Sequence, residues 1–188
     1  DYIRGFGFQG GAGQEGWDGS WNKKGIGKDF KNGIRKPGQW GFQLGGFGEM
    51  LPDYKNHITL DFNKLDPNGI PILKIDCAFG ENELKMKDDM ERTAIEMLKA
   101  AGFKGVTGFN RASNPGIAIH EVGTARMGND PADSYLNGFN QSHEVPNLFV
   151  TDGAAFASIA CQNPSLTFMA LTARAADYAA TQMKAGLL

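Results

Sequence analysis

Glycine is concentrated at the beginning of the chain, where 15 of the 26 glycines lie within the first 48 residues. Because glycine is unfavourable in a helix interior, we expect residues 1–35 to form a glycine-rich loop region. The run Gly5-Phe-Gly-Phe-Gln-Gly10 fits the spacing G-x-G-x-x-G. A dinucleotide fingerprint needs a strand before this motif and a helix after it, and the flanking sequence predicts neither. We therefore interpret these glycines as loop residues.

The composition is that of an ordinary folded protein. Apolar residues make up 41% and charged residues 21% of the 188 positions, which is enough to bury a core. The formal net charge of −2 gives no basic footprint for nucleic acid, and no apolar run approaches the roughly 20 residues that span a bilayer. Cys77 and Cys161 are interpreted as buried free thiols, with a disulfide as the alternative.

The first residue is Asp1, and no signal-peptide pattern follows it. We expect the chain to be the later part of a longer protein, with any targeting signal upstream.

The middle of the chain has the pattern of an antiparallel sheet. Short runs rich in β-branched and aromatic residues occur at 42–47, 57–61 and 70–77, and 105–109 is a further strand candidate. The sequence Asp66-Pro-Asn-Gly69 is strong turn chemistry, so the second and third runs are predicted to form a hairpin. Pro71 is expected at an edge or at the first residue of its strand.

Two amphipathic helices are predicted. The first runs from Glu83 to Ala101, with a stripe of methionines and alanines interpreted as core and Gly102 as its C-cap candidate. Glu83 and Lys87 would form an i,i+4 pair on the opposite side. The second begins at Asn163 and Pro164 and ends near Lys184. Asn163 is a favoured N-cap; the alternative is that Ser165 or the backbone caps the helix, or that Asn163 lies just before the cap. Its predicted buried stripe comprises Leu166, Met169, Ala170, Ala173, Ala176, Ala180 and Met183. A buried strand is expected at 147–152, before this helix.

Three segments of the second half carry the chemistry: His120-Glu-Val-Gly-Thr-Ala-Arg-Met-Gly128, Asn147-Leu-Phe-Val-Thr-Asp152 and Asn163-Pro-Ser-Leu-Thr167. In this order they resemble the C-terminal signature of the glucose–methanol–choline (GMC) flavoprotein oxidoreductases. The resemblance implies an α+β fold, with an antiparallel substrate-domain portion at 36–146 that carries the histidine motif. Residues 147–188 would then supply the closing strand and helix of an FAD-binding α/β domain.

The chemistry of alcohol oxidation explains the two catalytic candidates. A base must take the hydroxyl proton while a hydride leaves the carbon for the flavin, and a neutral imidazole is suited to this task. The resemblance assigns His120 to that role. It assigns Asn163 to hydrogen bonding of the developing alkoxide, where some family members carry a second histidine.

The resemblance also implies contacts with FAD. Asp152 and Gly153 would lie at the turn near the pyrophosphate and ribityl chain. The helix N-terminus would lie beside the flavin ring, bringing Asn163, Pro164, Ser165 and Leu166 to the cofactor. The phosphate-binding fingerprint of the family is not recognised in this chain, so the isolated chain is expected to be inactive and to bind FAD weakly or not at all.

The expected parent enzyme oxidises a sugar, a sugar acid or a polyol. The alternative is a non-catalytic carbohydrate-binding or assembly module that uses Trp17, Trp21 and Trp40 as stacking platforms. His57 and His143 lie in polar sequence and are interpreted as surface residues, and no metal site is predicted.

Overall fold

The computed structural model describes residues 1–16, 24–110 and 114–188. Its elements in chain order are β1 (Phe6–Gln14), α1 (Gly27–Ile34), β2 (Trp40–Gly48), β3 (His57–Leu65), β4 (Pro71–Asp76), α2 (Glu81–Ala100) and α3 (Ser165–Lys184). A single 3-10 turn occupies Gly153–Ala155. The mixture of helices and antiparallel strands agrees with the predicted α+β class. The strands form two separate two-stranded sheets, β1–β2 and β3–β4.

The glycine-rich beginning contains a regular strand. β1 pairs with β2 along its whole length, from Phe6 opposite Gly48 to Gln14 opposite Trp40. The loop predicted for residues 1–35 is therefore wrong over β1 and over α1. The rejection of a dinucleotide fingerprint is confirmed, because Gly7 and Gly10 lie inside the strand and not at a strand-to-helix turn.

One face of the β1–β2 ribbon packs on α2. A Cβ added to Gly46 would lie 2.7 Å from Sδ of Met90, and one added to Gly48 would collide with Sδ of Met86. Glycine therefore lets these methionines lie directly on the strand. Met86 is 2% exposed, which confirms the predicted core stripe in this half of α2. Met97 in the last turn is 49% exposed, so the stripe is wrong there.

The beginning of α2 is fixed by a buried carboxylate. Glu83 is 8% exposed, whereas the sequence placed it on the outer side of the helix. Its Oε2 accepts the N–H of Gly80 at 2.8 Å, and its Oε1 accepts the N–H of Leu51 at 3.1 Å and the amide of Asn82 at 3.2 Å. The correction has a physical reason, since a buried carboxylate needs donors and the preceding loop supplies them.

The predicted hairpin is confirmed in β3 and β4. Asp66 Oδ1 accepts the N–H groups of Asn68 and Ile70 at 2.8 and 2.9 Å, and Gly69 adopts a φ of +81°. Pro71 is the first residue of β4, as expected. The strand candidate at 105–109 is wrong, because those residues have no strand pairing.

The strand predicted at 147–152 is also wrong. The pairing in this segment is an isolated bridge between Gln141 and Phe149. The apolar run at 147–152 lies in a compact coil. There the N–H of Val150 donates to the carbonyl of Asn140, and the carbonyl of Val150 accepts a hydrogen bond from the side-chain amide of Asn140. Leu136 and Asn140 are completely buried there.

Helix α3 begins at Ser165, and Pro164 is its cap residue, so Asn163 lies one residue before the cap. Of the two placements expected for Asn163, as the N-cap or just before the cap, the structure has the second. The helix packs through an aromatic side: Phe168 contacts Phe156 with ring centroids 4.8 Å apart, and Tyr178 stacks on Phe139 at 4.2 Å.

The buried stripe predicted for α3 lies on its outer side. Leu166 is 78%, Met169 68% and Met183 67% exposed, and the alanines of the stripe are exposed as well. The helix has two apolar sides, and the described residues cover the one that carries Phe168, Ala175 and Tyr178. No helix in the described ranges is both long and apolar enough to cross a membrane.

Candidate active site

The segment that begins with His120 is held against the turn that follows Asp152. N–H groups at residues 123, 125 and 127 donate to the carbonyls of residues 153, 154 and 155, with N···O distances of 3.2, 2.9 and 2.9 Å. This short ladder fixes the first two predicted motifs relative to each other.

Glycines allow the two segments to approach closely. A Cβ on Gly153 would lie 3.1 Å from the carbonyl oxygen of Glu121 and 3.3 Å from the ring of Phe168. Gly123 has a φ of +92°, a conformation that favours glycine. Gly153 therefore brings the histidine segment and α3 together, whatever it contributes to cofactor binding.

Asp152 shapes the same turn. Its Oδ1 accepts the N–H of Ala154 at 2.9 Å and caps the 3-10 turn. The side chain is otherwise exposed. One carboxylate oxygen thus has a structural function, and the other makes no hydrogen bond with the described residues.

His120 is half-buried, and its ring lies against Phe47 of β2 with centroids 6.5 Å apart and planes inclined by 33°. Ile119, the residue before His120, has a φ of +62°. The N–H of Ala118 donates to Oε1 of Glu121 at 2.6 Å. Among the described residues no hydrogen bond reaches either ring nitrogen. Within the described part of the chain, the imidazole is therefore contacted through its ring and not through hydrogen bonds to its nitrogens.

The segment leading to Asn163 is held by the same ribbon. The side chain of Gln9 donates to the carbonyl of Cys161 at 3.1 Å, and Sγ of Cys161 lies directly over Gly7. Gly7 is paired with Phe47, so the ribbon holds the His120 contact and the approach to Asn163 side by side. The side chains of His120 and Asn163 make no hydrogen bond with each other, and Asn163 is exposed.

The N-terminus of α3 has no side-chain cap. Pro164 is buried, whereas Ser165 and Leu166 are exposed. The first N–H groups of a helix have no intrahelical acceptor, and they carry the positive end of the helix dipole. This end of α3 therefore presents donors to an acceptor-rich group.

The ribbon residues that assemble the site were missed by the sequence analysis. Phe47 was assigned to a strand without a partner, and Gln9 to a loop. Alternation along residues 41–47 is a signal for Phe47, because it places Phe47 on the face of β2 opposite the one that packs on Met86 and Met90.

The remaining candidates are the two cysteines and the two other histidines. Cys77 and Cys161 are free and half-buried, and burial, together with the negative charge of Glu121, raises the pKa of the Cys77 thiol. His57 is an exposed neighbour of Asp76, as predicted. His143 is half-buried, and its Nε2 lies 3.2 Å from Oγ of Ser134.

Of the three tryptophans in the carbohydrate-binding alternative, the structure describes Trp40. Trp40 is 71% exposed at the opposite end of β2 from Phe47. Trp17 and Trp21 lie outside the described residues. Among the described residues there is no cluster of three metal-ligating side chains.

Comparison with known proteins identifies the family. Residues 52–172 match the family model described as GMC oxidoreductase. The 2-methyl-1,2-propanediol dehydrogenase of Mycolicibacterium austroafricanum is 37% identical over 70% of this chain and 24% of its own length. The fructose dehydrogenase large subunit of Gluconobacter japonicus is 30% identical over 86% of this chain and 29% of its own length.

A third relative, the gluconate 2-dehydrogenase flavoprotein of Pantoea cypripedii, is 29% identical over 71% of this chain and 25% of its own length. The chain thus spans about a quarter of the length of these relatives. The predicted resemblance is confirmed. This chain belongs to the GMC oxidoreductase family and matches the C-terminal region of its members.

Proposed function

We propose that this chain is the C-terminal part of an FAD-dependent enzyme that oxidises CH–OH groups of a sugar, a sugar acid or a polyol. The observation that carries the proposal is the position of His120: its ring lies beside Phe47, and the segment after it is hydrogen-bonded to the turn that follows Asp152. Within the described residues, no hydrogen bond occupies its ring nitrogens. The relatives support the substrate class, because they are named as dehydrogenases of a propanediol, of fructose and of gluconate.

His120 acts as the base in this proposal. The ring nitrogen that carries no proton accepts the proton of the substrate hydroxyl, while the carbon loses a hydride. Phe47 lies beside the imidazole, with ring centroids 6.5 Å apart, and its ring offers no hydrogen bond that would compete for the proton. A base held close to the substrate hydroxyl lowers the entropy cost of reaching the reactive geometry.

Asn163 stabilises the alkoxide. Because Asn163 lies before the cap residue of α3, its carboxamide is not consumed by the helix N-terminus. An amide N–H donates to a developing negative charge but does not accept a proton, so it complements the base.

FAD is the cofactor that the family uses in general. The residues present fit it: the uncapped N-terminus of α3 offers N–H donors, and Ser165 and Leu166 are exposed beside it. The residues that would hold the cofactor are Asp152, Gly153, Asn163, Pro164, Ser165 and Leu166. When bound, FAD supplies the hydride acceptor.

The exposed outer side of α3 supports the proposal that this chain is part of a longer protein. Leu166, Met169 and Met183 form an apolar stripe that the described residues leave exposed. Burying such a stripe is favourable by about 25 cal/mol per Å² of apolar surface. We assign this side of α3 to contact with the remaining part of the enzyme.

The test is His120→Ala in the flavin-containing protein that includes this chain. Removing a general base is expected to lower kcat/KM by about 10²- to 10⁴-fold with bound flavin retained. His57→Ala, an exposed histidine on β3, is the matched control and is expected to leave kcat/KM unchanged. Equal turnover of the His120→Ala variant and the parent protein would reject the proposal.

A further inference from the structure

Residues 157–162, here called the Asn163 loop, lead from the 3-10 turn after Asp152 to Asn163. The loop belongs to no helix or strand, and within the described part of the chain none of its backbone groups hydrogen-bonds to another backbone group. Without such bonds, the course of a loop depends on the side chains that contact it.

The β1–β2 ribbon supplies both side-chain hydrogen bonds that the described residues make with this loop. Gln9 of β1 donates from Nε2 to the carbonyl of Cys161 at 3.1 Å. Ser158 donates from its hydroxyl to Oε1 of Glu49, the residue that follows β2, at 2.5 Å. The partners on the ribbon are distant from the loop in sequence, and each holds a different half of it.

Glu49 offers Ser158 an acceptor that is itself held in place. The Glu49 side chain is 16% exposed, and its Oε2 lies 3.6 Å from Nε of Arg4. A hydroxyl that donates to a carboxylate forms a charge-assisted hydrogen bond, which is about twice as strong as a bond between neutral groups. Because its second oxygen is engaged by Arg4, the carboxylate has few other orientations open to it.

The loop also packs on the ribbon at a position where a side chain is absent. Sγ of Cys161 lies 2.5 Å from the place that a Cβ on Gly7 would take. A larger residue at Gly7 would therefore displace Cys161, together with the carbonyl that Gln9 holds. Gly11, on the same face of β1, differs, since a Cβ there would meet no heavy atom within 4 Å. Packing thus requires glycine where the loop contacts the ribbon.

Asn163 depends on these contacts for its position. Its side chain is exposed and makes no hydrogen bond with the described residues. The buried Pro164 and α3 hold the chain after it, and Gln9 holds the chain before it at Cys161. A misplacement of about 1 Å can cost a catalytic group roughly 10²-fold in rate, so the course of the loop bears directly on the carboxamide.

We propose that Gln9 and Glu49 are positioning residues for Asn163. Gln9 holds the Asn163 loop through the Cys161 carbonyl, and Glu49 holds it through Ser158. Both act through Asn163 and not on the substrate. The inference rests on the proposed contact of Asn163 with the alkoxide and deepens it, because it assigns a function to the glycine-rich beginning of the chain.

The experiment uses the flavin-containing protein that includes this chain, mixed anaerobically with D-sorbitol. Gln9→Met removes the donor with little change in side-chain size, and Ser158→Ala removes the hydroxyl. Each is expected to lower the rate of flavin reduction at saturating sorbitol by about three- to tenfold, the loss of one hydrogen bond. The sorbitol concentration that gives half of that rate should stay within about twofold, because Asn163 acts on charge that develops during the reaction.

Matched variants separate positioning from a general effect on the fold. Gln43→Met makes the same exchange on the same face of the ribbon, and Gln43 forms no side-chain hydrogen bond with the described residues, so the parent rate is expected. Ser158→Thr keeps the hydroxyl and should restore the rate lost in Ser158→Ala. Gly7→Ala should lower the rate as Gln9→Met does, while Gly11→Ala should leave it unchanged.

A double-mutant cycle tests whether the ribbon acts through Asn163. Because Asn163→Ala removes the alkoxide contact, adding Gln9→Met to it should lower the rate no further. A fall of full size in that background would overturn the inference. Parent rates in both Gln9→Met and Ser158→Ala, or an equal loss in Gln43→Met, would also overturn it.

The same variants separate this inference from the proposed function. If Asn163→Ala reduces its flavin slowly but Gln9→Met and Ser158→Ala do so at the parent rate, the positioning roles alone are wrong. If Asn163→Ala reduces its flavin at the parent rate, the proposed role of Asn163 fails, and the positioning roles fail with it.

Discussion

Asn163 lies at the start of α3, where an offset of one residue decides whether its side chain caps the helix. The sequence favours an N-cap, since asparagine before proline at a helix start is a common pattern. The structure places the cap at Pro164 and leaves the carboxamide of Asn163 exposed. The side-chain oxygen of a capping asparagine accepts a hydrogen bond from the helix. The side chain of Asn163 makes no such bond, which agrees with its proposed contact to the alkoxide.

Asn163→Ala is therefore expected to lower the rate of flavin reduction without lowering stability. Removal of one oxyanion-stabilising donor costs about 10²- to 10³-fold in rate. The measurement is kcat with the flavin-containing protein, together with its thermal midpoint. Gln162→Ala removes the neighbouring exposed amide and should have no effect on kcat. A large fall in thermal midpoint with unchanged kcat would show that Asn163 is structural.

At the scale of elements, the two long helices differ in how well their sequences predict their packing. In α2 one apolar stripe meets the β1–β2 ribbon through Met86 and Met90, as the spacing indicates. In α3 both sides are apolar, and periodicity does not distinguish them. The described residues cover the aromatic side through Phe168 and Tyr178, because the rings of Phe156 and Phe139 lie within contact.

The N-terminus of α2 gives a prediction about pH. Burial raises the pKa of Glu83, but hydrogen bonds from Leu51, Asn82 and Gly80 outweigh it, and the pKa is held below its ordinary value. A lowered folded-state pKa means that the stabilisation is complete above the unfolded pKa, about 4.3, and is lost as the pH falls through the folded value.

Glu83→Gln should thus lower the free energy of unfolding at pH 7 by about 1–3 kcal/mol. The difference between variant and parent should shrink below pH 4, as measured by urea unfolding over a pH series. Glu81→Gln, in the same turn but in an exposed pair with Lys85, is the control and should change little. A deficit for Glu83→Gln that stays constant down to pH 2 would contradict the assigned cause.

At the scale of the whole molecule, local signals predicted local structure well. The β3–β4 hairpin follows from its Asp-Pro-Asn-Gly turn, and α2 from its periodicity. The β1–β2 ribbon does not, because glycine propensity argues against strands and the pairing joins residues far apart in sequence. The coil over 126–150 was also missed, since side-chain contacts such as that of Asn140 with Val150 hold it in place of strand pairing.

The candidate site was predictable from its motifs but not in its assembly. His120, Asp152 and Asn163 were identified by residue type, order and family resemblance. Phe47 and Gln9, which contact the histidine and the Cys161 carbonyl, have no motif of their own. Their roles depend on which face of β1 and β2 points toward the site, and that is fixed only when the register is known.

The whole chain also gives a prediction about FAD. The described residues include those proposed to contact the flavin end, but no strand-to-helix glycine motif for the phosphates is recognised among them. The purified 188-residue chain should therefore show little or no flavin absorbance near 450 nm after gel filtration with excess FAD. Stoichiometric flavin retained by the chain alone would contradict this expectation.

The central claim is that His120 removes the substrate proton, and anaerobic rapid mixing of the flavin-containing protein with sorbitol tests it most directly. Loss of flavin absorbance reports the reductive step alone, independent of the electron acceptor. For His120→Ala the rate should fall by about 10²- to 10⁴-fold, while His57→Ala reduces its flavin at the parent rate. Flavin reduction by His120→Ala at the parent rate would contradict the assignment of His120 as the base.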